Sequence, residues 1–145
     1  MRELSYTEIN KLETCLKELA EHHNMVSVNF SGAYPKKPYK ETLQSFETDL
    51  SSGKSRIAVI ESENRVVAFC KTDIDQGQGK IDYLVVLKEY RNRGYGDMLM
   101  NWALDLLRQS GIKLIEVKVV DGNDAIMFYE KYGFRMNAHI LRADL

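Results

Sequence analysis

Ile9, Leu12, Leu16 and Leu19 recur at helical spacing behind Ser5 and Glu8, which stand at capping-box distance, and the run stops at His22-His23-Asn24. This pattern predicts a helix over 5–23. Tyr39, Leu43, Phe46 and Leu50 form a second stripe, predicting a helix over 38–52 that Pro38 can open and Ser51-Ser52-Gly53 ends. Two β-rich runs follow, RIAVIES (56–62) and RVVAFCKTD (65–73), and Glu63-Asn64 between them signals a hairpin. DQGQGK (75–80) turns the chain into a third strand, IDYLVVL (81–87).

Beyond residue 87 the pattern changes. KEYRNRGYG is a basic, glycine-containing loop that runs straight into a helix over 95–109, with Met98, Leu99, Trp102, Ala103, Leu106 and Leu107 on its apolar face and Ser110-Gly111 at its end. IKLIEVKVV (112–120) reads as a strand, Asp121-Gly122-Asn123 as a turn, and DAIMFYEKY as a short helix closed by Gly133. RMNAHILRA (135–143) reads as a last strand. The order predicts a single α/β domain over 1–145 with a mixed central sheet flanked by helices. Strand 81–87, helix 95–109 and strand 112–120 form a crossover, expected to be right-handed with parallel strands.

Composition narrows the partners. The 145 residues hold 20 Lys+Arg against 21 Asp+Glu, a formal charge of −1, so no global field attracts nucleic acid or an anionic membrane. Neither is expected as a partner. Cys15 and Cys70 sit in apolar patterns without CxxC spacing, and His22, His23 and His139 lack ligands at metal spacing, so neither a disulfide framework nor a metal site is expected. His22 and His23 close a helix, where the macrodipole favours them, and read as solvated. MRELSYTEIN has no apolar signal region and no run approaches 18 apolar residues, which fits a soluble, cytoplasmic protein.

The loop Arg91-Asn92-Arg93-Gly94-Tyr95-Gly96 carries the most specific chemistry. Two glycines let the backbone approach a ligand closely, and free N–H groups at a helix N-terminus bind phosphate oxygens. Lys88, Arg91 and Arg93 add positive charge. The loop lacks GxxxxGK[ST] and the third glycine of GxGxxG, so it is neither a P-loop nor a dinucleotide fingerprint.

R-x-x-G-x-G after Leu84-Val85-Val86-Leu87, together with Asn123-x-Ala125-x-x-Phe128-Tyr129-Glu130-Lys131-Tyr132-Gly133-Phe134, resembles the GNAT superfamily of acetyl-CoA-dependent N-acetyltransferases. The resemblance covers about residues 56–136. It implies a GNAT-like fold in which the strand ending near Val86 carries a bulge and splays from the parallel strand at 112–120, leaving a cleft for the pantetheine arm. It also implies backbone contacts from Leu84, Val85 and Val86, pyrophosphate on the amides of Arg91, Asn92, Arg93, Gly94, Tyr95, Gly96 and Asp97, and further cofactor contacts from Asn123 and Phe128. Asn123 precedes Ala125 by one residue fewer than in most members; that shorter spacing occurs in the histone-acetylating branch, as does GYGxxLMN at 94–101. The alternative reading of Asn123 is a helix N-cap. Tyr129 matches the tyrosine that donates a proton to the departing thiolate, a role suited to a phenol.

Transfer to an amine needs a proton acceptor. Asp82 is the candidate general base, two residues past Lys80 on the same strand face; Glu61, Glu63, Glu89, Tyr83 or a water chain remain open. The expected activity is direct acetyl transfer from acetyl-CoA, as cosubstrate, to a primary amine of a small molecule or a protein, by a monomer or homodimer. A non-catalytic acyl-CoA sensor is the alternative. Helices 5–23 and 38–52, with the loop GAYPKKPYK, would shape the acceptor pocket, with Phe30, Tyr34 and Tyr39 as aromatic walls.

Overall fold

The computed structural model describes residues 1–145 and shows a five-stranded sheet in chain order: β1 (Arg2–Glu3), β2 (Ser55–Ser62), β3 (Arg65–Asp75), β4 (Gln78–Val86) and β5 (Ile115–Val117). Neighbouring strands are antiparallel except β4 and β5, which run parallel. The mixed sheet and the parallel crossover expected from the sequence are both present. Glu63 and Asn64 turn β2 into β3 with φ of 53° and 62°, and Gln76 and Gly77 turn β3 into β4 with φ of 51° and 77°. Paired left-handed residues match the right-handed twist of two flanking strands.

β3 is buried along almost its whole length because helices cover both faces of the sheet. α1 (Glu13–Val26) and α2 (Tyr39–Ser51) lie over one face, where Phe46 packs edge-on to Phe69 and Tyr83. α3 (Tyr95–Gln109) crosses between the parallel strands and buries Leu99, Met100, Ala103 and Leu107, each at most 2% exposed. Each buried leucine is worth about 1.5–3 kcal/mol by area, so Leu99→Ala is the single change that most directly loosens this helix. α4 (Ala125–Glu130) completes the fold. No helix is long and apolar enough to cross a membrane.

Three expectations are corrected and one strand is added. The capping box of Ser5 and Glu8 is formed, but residues 6–12 wind as a 3-10 helix and the α-helix begins only at Glu13. Arg2 and Glu3, unassigned in the sequence, pair with Val59 and Ala58. The strand predicted over 112–120 keeps only Ile115–Val117, because β4 offers it just Gly79–Ile81 before turning away. The strand predicted over 135–143 is absent: its apolar/polar alternation is there, but it has no pairing edge, and Met136, Ile140 and Leu141 are exposed.

Candidate active site: a cleft where two parallel strands part

Lys71 of β3 lies opposite Tyr83 of β4, and the next residue, Thr72, lies opposite Ile81. Asp82 is therefore an extra residue, a bulge that bends its strand. The ladder between β4 and β5 ends one residue earlier, at Ile81 and Val117. From Tyr83 to Val86, β4 stays paired with β3 but has no partner on its other edge. That leaves a cleft bordered by unpaired main-chain groups of Leu84, Val85 and Val86. The Arg91 guanidinium donates to the Val86 carbonyl at 3.3 Å, closing the strand onto the loop that follows.

That loop ends in a helix N-terminus with no side-chain cap. The first intrahelical bond runs from the Met98 amide to the Gly94 carbonyl, 3.0 Å, so the amides of Gly94, Tyr95, Gly96 and Asp97 have no partner within the helix. Asn92 and Gly94 adopt φ of 64° and 82°. Asn tolerates this region and glycine enters it freely. Arg93 donates to the Glu89 carbonyl and lies over the Tyr90 ring, 4.8 Å from its centroid. Positive charge, four free amides and the dipole of α3 make this loop an anion site.

α4 is fastened to the same helix N-terminus. The Asp97 carboxylate accepts hydrogen bonds from the Tyr132 hydroxyl and from Lys131, which together hold it below the usual carboxylate range. Its side chain thus faces α4, and only its amide is free for a ligand. Phe128 lies against Gly96 and meets Tyr129 and Tyr132 edge-on. Tyr129 is 8% exposed, and burial, helped by the nearby Cys70 thiol, pushes its phenol well above its ordinary value. Cys70, near enough to act on that phenol, is the register partner of Leu84 on the cleft edge. Burial raises the Cys70 thiol to about 12, leaving it inert as a nucleophile.

Asp124 holds the N-cap position of α4 without a side-chain cap, and Asn123, one residue earlier, accepts from the Ala125 amide at 3.0 Å through its side-chain oxygen. That turn bond occupies the oxygen, and the amide nitrogen is a separate donor. The preceding turn is locked to the loop after α1: Asp121 accepts from the Ser27 hydroxyl and the Val28 and Asn29 amides at 2.7–3.0 Å. Gly122 packs so closely there that a Cβ would stand 2.1 Å from the Val26 carbonyl oxygen. Nearby, His23 is half-buried edge-on to Tyr34, and burial, with a smaller effect of His22, lowers its pKa, so it is not the solvated residue expected.

Asp82 has close neighbours that the sequence did not reveal. Its carboxylate meets Lys71 at 2.7 Å and Lys80 at 3.2 Å, and Lys71 also meets Asp73 at 2.8 Å and Asp49 at 3.0 Å. Burial opposes the charge on Asp82, but Lys71 and Lys80 outweigh it and hold its pKa low. Burial likewise opposes the charge on Lys71, and the aspartates outweigh that, so its pKa is raised. The readable signal was a lysine two residues after Phe69 inside an apolar run, which places it on the same covered face. Of the other candidate bases, Glu61 pairs with Arg2, Glu89 lies 3.7 Å from Arg65, and Tyr83 is packed between Phe46 and Phe69. A groove of about 460 Å³ lies elsewhere, between α3 at Met98 and Trp102 and the sheet edge at Met1 and Arg56. No group of His, Cys, Asp and Glu is arranged to hold a metal ion.

The comparisons with known proteins agree with this geometry. A family model described as the acetyltransferase (GNAT) family matches residues 19–134. N-alpha-acetyltransferase 30 of Schizosaccharomyces pombe is 36% identical over 69 residues, covering 45% of this chain and 46% of that protein. The chain spans about half the length of the curated relatives it matches. The PaiA N-acetyltransferase of Thermoplasma acidophilum, solved in complex with coenzyme A, superimposes with a TM-score of 0.77 at 19% identity, over 94% of this chain and 89% of that one. A predicted acetyltransferase of Clostridium acetobutylicum, solved with acetyl-CoA, gives 0.76 at 17%, over 99% and 94%.

Proposed function

The chain belongs to the acetyltransferase (GNAT) family, and on that premise we propose that it transfers an acetyl group from acetyl-CoA directly to a primary amine. The observation that carries this reading is the parting of β4 from β5 at Asp82, with the free amides of α3 at one end of the opening and Tyr129 beside it. In this reading the pyrophosphate lies on the amides from Arg91 to Asp97, and the pantetheine arm runs along the open edge of Leu84, Val85 and Val86. The Asn123 amide nitrogen donates to that arm, and Phe128 backs the loop.

The amine attacks the thioester carbonyl, whose oxygen takes up negative charge that main-chain amides stabilise. The tetrahedral intermediate then collapses, the carbon–sulfur bond breaks, and the thiolate receives a proton. Tyr129, kept protonated by burial, is the donor. Asp82 is the proton acceptor for the attacking amine, reached through water. Lys71 and Lys80 make it a weak base, which suits an amine that arrives already partly neutral. Fixing the long cofactor at several points positions its reactive end, so the reaction gains from proximity. No acyl-enzyme forms, because the Cys70 thiol is buried and its pKa raised.

The name of the Schizosaccharomyces pombe relative supports including α-amino groups among the acceptors. The test incubates the protein with acetyl-CoA and spermidine, L-lysine or a short peptide bearing a free α-amino group, following free thiol and the mass of the acceptor. Thiol release matched by an acetylated amine is expected. CoA binding without turnover on any amine would instead favour an acyl-CoA sensor. Action in the cytoplasm, as a monomer or homodimer, is part of the same proposal.

A further inference from the structure

We propose that Lys71 is a positioning residue for acyl transfer: its ammonium ties the bulge residue Asp82 to β3 and α2 and so fixes where β4 leaves β5. This rests on the acetyl-transfer reading above.

Lys71 is 1% exposed, and every polar contact it makes is with a carboxylate: Asp82 on β4, Asp73 on its own strand, Asp49 on α2. Its ammonium also lies 5.1 Å from the centre of the Phe46 ring. Asp73 is held in turn by the Ser55 hydroxyl at 2.5 Å, which brings β2 into the same cluster. Taking such charges out of water costs several kcal/mol per ion, and packed apolar side chains in place of a buried ion pair are often neutral or stabilising. Stability alone therefore does not account for an ion cluster at this point in the core. What it adds is geometric: α2, β2, β3 and β4 satisfy one another only when they meet in one arrangement.

That arrangement defines the cleft. A bulge can migrate along a strand, and each one-residue slip turns the following side chains to the opposite face. Asp82 is the unpaired residue, and two lysines hold its carboxylate, so the extra residue stays between Ile81 and Tyr83. This keeps Tyr83 stacked on Phe69 and edge-on to Phe46, Val85 in the core, and the edge of Leu84 to Val86 toward the opening. The loop from Arg91 to Asp97 has its own ties, to Val86, Glu89, Lys131 and Tyr132. Loss of Lys71 should therefore disturb the reacting end of the cleft and spare the anion site.

The test uses Lys71→Met, with Lys71→Gln, which keeps a hydrogen-bond donor, as the variant to use if the first does not fold. Turnover is measured with whichever of spermidine, L-lysine and the α-amino peptide the unaltered protein acetylates fastest, and CoA affinity by calorimetry. Expected is a loss of about tenfold or more in kcat with CoA affinity changed by less than about threefold. The acid limb of the pH–rate profile should also move to higher pH, because Asp82 loses the nearer of its two cations. Asp49, Asp73 and Tyr83 still face it, with Lys80 on its own strand and Glu116 opposite Lys80 on β5. Unchanged kcat and pH profile in the Lys71 variants overturn the proposal, as does a parallel fall of kcat and CoA affinity. An unaltered protein that acetylates no amine overturns the functional reading and this one together.

Discussion

The ring of Phe128 lies 3.5 Å from the point where a Cβ on Gly96 would stand. One glycine of the anion loop thus forms the seat of the short helix that carries Tyr129, joining the two halves of the candidate site. Gly96→Ala makes ordinary contact and should bind CoA within about threefold of the unaltered protein. Gly96→Leu must displace Phe128, and a loss of about tenfold or more in CoA affinity is expected by calorimetry, roughly 1.4 kcal/mol. Equal affinity for both variants would separate the loop from α4.

Tyr129→Phe keeps the ring contacts with Phe128 and Phe134 and removes only the hydroxyl. Proton donation in the transition state contributes typically about 10²–10⁴-fold, so kcat should fall by about that range while CoA affinity holds. Because burial raises this phenol's pKa, no alkaline limb below about pH 10 should belong to it. Full activity in Tyr129→Phe would remove the residue from the mechanism.

Asn123 separates two roles by atom. Asn123→Asp keeps an oxygen for the Ala125 amide, so the turn bond survives, but deletes the amide donor. Asn123→Ala deletes both and should cost about 0.5–2 kcal/mol in stability as well. If the nitrogen holds the pantetheine arm, both variants raise the KM for acetyl-CoA, and only the alanine variant melts earlier. An aspartate variant with unaltered KM would leave Asn123 with its turn bond alone.

Acid should destabilise the fold. Glu8 is lowered to about 2, chiefly by Arg2 and then by the Ser5 amide, and Asp82, Asp97 and Asp121 are also lowered. A depressed folded-state value means stability that is complete above the unfolded value, near 4, and lost as pH falls through the folded one. His23, held neutral by burial, adds an earlier and smaller loss below about pH 6.5. Melting temperature by circular dichroism should therefore decline slightly below neutrality and steeply between about pH 4 and 2. A rise on acidification would contradict the ion-pair assignments.

The elements legible in the sequence are those with local causes. Asn64 and Gly77 supply the left-handed positions of their turns, α3 follows its apolar stripe, and Gly94 and Gly96 stand at the start of α3. Elements set by distant partners were not legible. Arg2 and Glu3 become a strand only because β2 is there to pair with. β5 is short because a bulge on another strand ends its ladder, and residues 135–143 have strand alternation without an edge. Lys71 shows the same limit within the site. Its meaning depends on Asp49 and Asp82, which lie on other elements, and no window around FCKTD contains them.

The most direct test of the central claim is a titration of the ¹⁵N-labelled protein with CoA, followed residue by residue by amide NMR. The account predicts the largest shifts at Asn92–Asp97, along Leu84–Val86 and at Asn123. Shifts confined to the groove at Met98 and Trp102, or no shifts at saturating CoA, would contradict it.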